Sequence, residues 1–135
     1  MSQTNAERVR AGYEAFNRGE VDVALAGFHP DVEWSVLGIL PDPEHYRGHE
    51  AVRRFWATWE ETFAGFRIEV EEVIEVGDRV LVLIAASGRG SGSGAPVRSP
   101  TFGQIWTFED DLVRRVEMLT EPEARDAMGL GGSTG

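Results

Sequence analysis

Residues 80–86 read VLVLIAA, an apolar run without interruption. Successive strand side chains point to opposite faces, so this run is apolar on both sides and needs cover on both. It is far too short to cross a bilayer as a helix. The stretch RVLVLIAASGRG is therefore predicted to be a central strand with packed elements above and below it. A chain of 135 residues is large enough to supply that cover from one domain.

The covering elements are read from periodicity. Thr4 and Glu7 have the spacing of a capping box, Val9, Tyr13 and Phe16 recur at helical spacing, and Gly19 offers a left-handed stop. Val21, Leu25 and Phe28 form the stripe of a second short helix that Pro30 ends. DVEWSV, 31–36, alternates as a strand, and LGILPDPEHYRG, 37–48, reads as a loop long enough to suggest function. A third helix is predicted from Gly48 to about residue 64, with Val52, Phe55, Trp56, Trp59 and Phe63 facing inward.

Strands follow. In FRIEVEEVIEV, 66–76, Phe66, Ile68, Val70, Ile74 and Val76 share a face, and Glu72 falls on it too unless a bulge shifts the register. GD at 77–78 is a tight turn, and SGSGAP, 91–96, is a flexible loop. VRSPTFGQIWTF and LVRRVEML form another hairpin joined at EDD. TEPEARDAMG is a last short helix with Pro122 in its first turn, and GLGGSTG is a frayed end. The expected organisation is one domain over 1–128 and a flexible tail over 129–135. Helices followed by strands argue α+β, with three helices burying one face of a bent antiparallel sheet to leave a cone with a concave site.

Composition excludes several functions. A net charge of −10 with only scattered basic residues repels phosphate backbones and anionic membrane surfaces, so neither nucleic acid nor membrane is expected as a partner. There are no cysteines for disulfides or thiolate metal sites. The start, MSQTNAERVR, lacks the apolar stretch of a secretory signal, so a cytoplasmic location is the expectation. GRGSGSG lacks the strand–turn–helix setting of a phosphate loop, and no cofactor is expected.

In order and spacing, AGYEAFNRGEVDVALAGFHPDVEWS, YRGHEAVRRFWATWEETFAGFRIEVEEVIEVGDRVLVL, FGQIWTFED and EARDAMGL resemble the SnoaL-like branch of the nuclear transport factor 2-like superfamily. The resemblance implies a cone-shaped, cystatin-like α+β fold, a cavity between helices and sheet, and a homodimer packed through the outer sheet face. Activity does not follow from fold, since such proteins include isomerases, cyclases, hydrolases and non-catalytic binders. Tyr13 lies near the place of an oxyanion-hole tyrosine in ketosteroid isomerase-like proteins, and Gln104 at that of a second oxyanion donor. Tyr13 also reads as a core aromatic, and Gln104 as an amide paired in the sheet or facing solvent. The general base of that family would fall at Val36 or Ser35, and the late-strand aspartate of many SnoaL-like sequences at Thr120; none of these is a carboxylate. That departure argues against isomerase chemistry. Thr120 and Glu123 instead form a second capping box.

Other titratable candidates are Glu72 and Glu117, useful as acid or base if turned inward but expected outward, and His45, which with Asp42, Glu44 and His49 lies over the presumed mouth. Arg89 and Arg98 can grip an anion or sit exposed in a loop. The aromatics either fill a core or wall a pocket. The sharper reading has Tyr13, Phe16, Trp34, Trp56, Trp59 and Phe102 lining a pocket with Gln104, suited to a small, flat, hydrophobic molecule. Three functions remain open at this point. The chain can be a cofactor-independent isomerase, cyclase, dehydratase or hydrolase, a small-molecule binder, or a dimeric interaction module. An inward carboxylate or imidazole near Tyr13 points to the enzyme, an apolar cavity capped by Gln104 to the binder, and a filled cavity to the module.

Overall fold

A computed structural model describes residues 4–39, 41–90 and 94–130. The order is α1 (Asn5–Asn17), α2 (Val21–Ala26), β1 (Phe28–Val36), β2 (Glu44–Arg47), α3 (Gly48–Thr62), β3 (Phe63–Val76), β4 (Arg79–Gly90), β5 (Pro96–Arg98), β6 (Phe102–Glu109), β7 (Leu112–Thr120) and α4 (Glu121–Ala127). The strands form one curved sheet in the order β2-β1-β7-β6-β4-β3, and β5 pairs with the far half of β4. The fold is α+β.

β4 is covered on both faces. Val80, Val82 and Ile84 enter the large core under α1, α2 and α3, while Leu81 and Leu83 pack with Ile105, Ala124 and Met128 beneath α4. Burying a side chain of this size contributes roughly 1.5–3 kcal/mol. Local signals start and stop the helices. Both capping boxes form, Thr4 with Glu7 and Thr120 with Glu123. α1 and α4 both end with a glycine at positive φ, Gly19 and Gly129. There the next residue's N–H reaches back into the helix, Glu20 to the Ala15 carbonyl and Leu130 to the Arg125 carbonyl. Asp110 and Asp111 both take positive φ in the β6–β7 turn, the geometry of a tight two-residue hairpin.

Several expectations change. Phe28 does not end α2: Gly27 caps that helix, and Phe28 is buried at the start of β1. The 37–48 segment contains a strand, β2, paired antiparallel with β1. α3 stops at Thr62, so Phe63 belongs to β3. The sheet is not wholly antiparallel, because β1 runs parallel to β7. Pro100 lies in the break between β5 and β6, so VRSPTFGQIWTF is two strands. A register shift between Val70 and Glu72 reverses which residues of β3 face inward. Val73, not Ile74, then packs on the large core, Ile74 joins the α4 side, and Val76 is exposed. Leu130, expected in the tail, packs beneath α4, while residues 131–135 lie outside the described residues, as do 91–93 of the SGSGAP loop.

The edge strand β3 is tied down by a side chain. The Asn17 amide donates to the Ile68 carbonyl and accepts from the Ile68 N–H, both at 2.8 Å. This fixes the end of α1 over the sheet and blunts an open edge. His49 Nε2 lies 2.8 Å from the Phe28 carbonyl oxygen and ties the start of α3 to β1.

α4 approaches the sheet closely only because residue 103 is glycine: a Cβ there would come within 2.4 Å of the Ala124 Cβ. Gly103→Ala is expected to lower unfolding stability by roughly 1–3 kcal/mol through overpacking. Urea denaturation measures it, and unchanged stability would mean that α4 does not dock as described.

Candidate functional site

The concave sheet face and the helices above it do not fill the space between them. They enclose a cavity of about 450 Å³. α1 brings Tyr13 and Phe16, α3 brings Phe55, Trp56 and Trp59, β1 brings Trp34, and β6 brings Phe102, Gln104 and Trp106. The alternation of β6 places its three residues on one face. All four tryptophans of the chain therefore line one cavity.

The walls are held by ring contacts. Phe28 stacks on Trp34 at 6.1 Å and meets Trp56 and Trp106 edge-on at 5.7 and 5.5 Å. Phe16 meets Trp56 edge-on at 5.3 Å. Such pairs contribute about 0.5–1.5 kcal/mol each beyond burial. Interlocked rings resist collapse, which keeps the space between them open.

One polar cluster interrupts this surface. Gln104 is 3% exposed, the one buried polar side chain outside the aromatics among the described residues. Its Oε1 accepts from the Tyr13 hydroxyl and, at 2.9 Å, from the Trp106 indole N–H. Burial pushes the Tyr13 phenol far above its ordinary range, so it stays neutral and acts as a donor rather than a base. The Trp34 indole N–H points at the Met118 Sδ, 3.0 Å away. The hydroxyls at the rim are committed elsewhere: Ser99 to the Pro100 carbonyl, Thr101 to Glu71, and Thr120 to its capping glutamate.

All seven residues predicted to line a pocket line this cavity: Tyr13, Phe16, Trp34, Trp56, Trp59, Phe102 and Gln104. The three titratable candidates do not. The β3 bulge turns Glu72 to the outer face, where it accepts from Arg125 of α4 at 3.0 Å. Glu117 is in register with Ser35 and Ile105, and Ile105 belongs to the outer cluster. His45 sits on β2, with its Nδ1 2.9 Å from the Ser35 hydroxyl. Arg98 pairs with Glu69 and Glu71 rather than reaching inward. Among the described lining residues there is no carboxylate, imidazole or amine.

Sequence reasoning missed Phe28, Phe55, Trp106 and Met118 as lining residues. Trp106 was readable, since it stands two strand positions from Gln104 and must share its face. Phe28 was hidden by its assignment to a helix.

The SnoaL-like domain model matches residues 9–116, most of the chain, and the chain belongs to this family. Its fold is of the nuclear transport factor 2-like, cystatin-like type. It is similar to TerC, crystallised with polyporic acid, at 28% identity over 91% of this chain and 95% of that one, with a TM-score of 0.73. A nuclear transport factor 2-like protein of unknown function from Burkholderia pseudomallei is 26% identical over 97% and 100% of the two chains, with a TM-score of 0.74. A putative polyketide cyclase from Sinorhizobium meliloti is 26% identical over 83% and 93%, with a TM-score of 0.65. No functionally curated protein matches the chain. No helix among the described residues is long and apolar enough to cross a membrane.

The two tyrosines predict alkaline behaviour. The hydrogen bond to Glu44, then burial, pushes Tyr46 up to about 12, and burial pushes Tyr13 higher still. A phenol whose folded value is raised stabilises the fold fully below its unfolded value, near 10, and loses that contribution as pH climbs toward the folded value. Stability should fall above about pH 10, and Tyr13→Phe should make that fall shallower. Denaturation between pH 8 and 12 tests this; a steeper fall in the variant would contradict the burial of the phenol.

Proposed function

We propose that this chain binds a small, flat, largely apolar metabolite in the aromatic cavity and orients it through the Gln104 amide. The observation that carries this reading is a walled, apolar cavity whose lining, among the described residues, holds no carboxylate, imidazole or amine. By the criterion set out from the sequence, an apolar cavity capped by Gln104 favours the binder over the acid–base enzyme. The co-crystallisation of the similar protein TerC with polyporic acid supports a small-molecule ligand for this chain.

A cyclase-type activity is the second reading, favoured by the similarity to a putative polyketide cyclase. In such a reaction the protein would act as a template. Aromatic walls would hold a flexible substrate in a reactive shape, the substrate or water would move the protons, and the Gln104 amide N–H would steady a developing oxyanion. Glu72, Glu117 and His45 have no part in either reading, because they face away from the cavity. Pairing of two copies through the outer sheet face, implied by the family resemblance, belongs to the same proposal.

Native mass spectrometry and thermal-shift screening against flat hydrophobic metabolites, polyporic acid among them, test the reading. A bound species with a Kd on the order of micromolar and a raised Tm is expected. Ala86 lines the cavity, so Ala86→Phe should abolish binding by occupying the space while leaving the fold intact. Binding that survives this substitution would place the ligand elsewhere. The same spectra read copy number, and a monomer would overturn the dimer without touching the ligand reading.

A further inference from the structure

The Trp106 indole nitrogen is a donor and cannot accept. It lies 2.9 Å from Gln104 Oε1, and the Tyr13 hydroxyl gives its proton to the same oxygen. Turning the Gln104 amide over would set its NH2 against the indole N–H, donor against donor, inside a buried site. The side-chain orientation is therefore dictated by chemistry. Oxygen faces the aromatic pair, and the NH2 group faces the other way. Among the described residues that NH2 group has no hydrogen-bond partner, and no side-chain nitrogen sealed away from every void lacks one. Gln104 itself lines the cavity, so its amide nitrogen opens onto that space.

The second polar atom on the wall has the same sign. Trp34 also presents an indole N–H, held by a thioether, which is a weak acceptor. The hydroxyls of Ser99, Thr101 and Thr120 are engaged with a carbonyl or a carboxylate. At Gln104 the cavity thus offers an occupant a donor, while the amide oxygen already accepts twice.

Building on the ligand-binding reading above, we propose that Trp106 is a positioning residue. It locks the Gln104 amide so that the cavity selects ligands whose buried end is a carbonyl-type acceptor, such as an aromatic ketone or a quinone, over the corresponding alcohol. A carbonyl oxygen takes an N–H of the NH2 group and brings no donor of its own. An alcohol oxygen can take the same N–H, but its own proton finds no acceptor in the locked amide, and a buried donor left unpaired is costly.

The test uses a matched set of flat tricyclic probes, 9-fluorenone, 9-fluorenol and fluorene, titrated by calorimetry. In the unsubstituted protein the ketone should bind about tenfold more tightly than the alcohol. In Trp106→Phe the amide is free to turn, and the ratio should shrink to within about threefold. In Gln104→Leu the ketone should lose its advantage over fluorene. The ratio is taken within each variant, so a general loss of packing does not imitate the effect. If Trp106→Phe does not fold, the unsubstituted protein still decides: the Gln104 side-chain amide resonances should shift when 9-fluorenone binds and hold when fluorene binds. Equal binding of ketone and alcohol, an unchanged ratio in Trp106→Phe, or silent Gln104 resonances on ketone binding would each overturn the proposal while leaving the ligand reading in place. If none of the three probes binds, the ligand reading falls and this inference falls with it.

Discussion

The structure depends on the two-sided burial of β4. A strand apolar on one face needs one layer of cover; this one needs two, and the chain answers with helices on both sides of the sheet. α4 seals the outer face in a small contact made possible by Gly103. The inner face receives α1, α2 and α3, which cannot lie flat on a curved sheet. The mismatch between straight helices and a bent wall leaves the cavity, and aromatic rings propped edge to face keep it from closing.

Polarity inside that cavity is concentrated at one amide. A buried glutamine is tolerable only if its groups are satisfied, and its oxygen is satisfied by Tyr13 and Trp106. Val36, one of the two positions where the family resemblance implies a general base, is a core residue, and Thr120, where it implies an aspartate, is a helix cap. The two strand carboxylates that could have served as acid or base, Glu72 and Glu117, lie on the outer side of the sheet. The interior chemistry is therefore hydrogen bonding and shape, with charge kept to the surface of an acidic protein.

Much of this was legible from residue patterns, and the failures have identifiable causes. The capping boxes, the Gly19 stop and the double-faced strand depend on near neighbours in sequence, and all formed as read. Phe28 continued a helical stripe, but Gly27 caps the helix and the chain turns into β1. β2 is only four residues long and half exposed, so its pairing with β1 leaves almost no local signature. The β3 bulge is set by pairing with β4, and it alone decides that Glu72 leaves the core face. The parallel β1–β7 contact joins opposite ends of the chain, beyond what periodicity can report. Aromatic residues at helical and strand spacing identified the wall, but whether a wall encloses space is a matter of volumes packed in three dimensions.

The central claim is that this space is real and apolar. Xenon enters dry apolar cavities and displaces nothing that is hydrogen-bonded. In a crystal pressurised with xenon, the account predicts a xenon atom within the rings of Trp34, Trp56 and Trp106, with the surrounding side chains unmoved. A crystal in which xenon is absent and these indoles have closed on one another would contradict it.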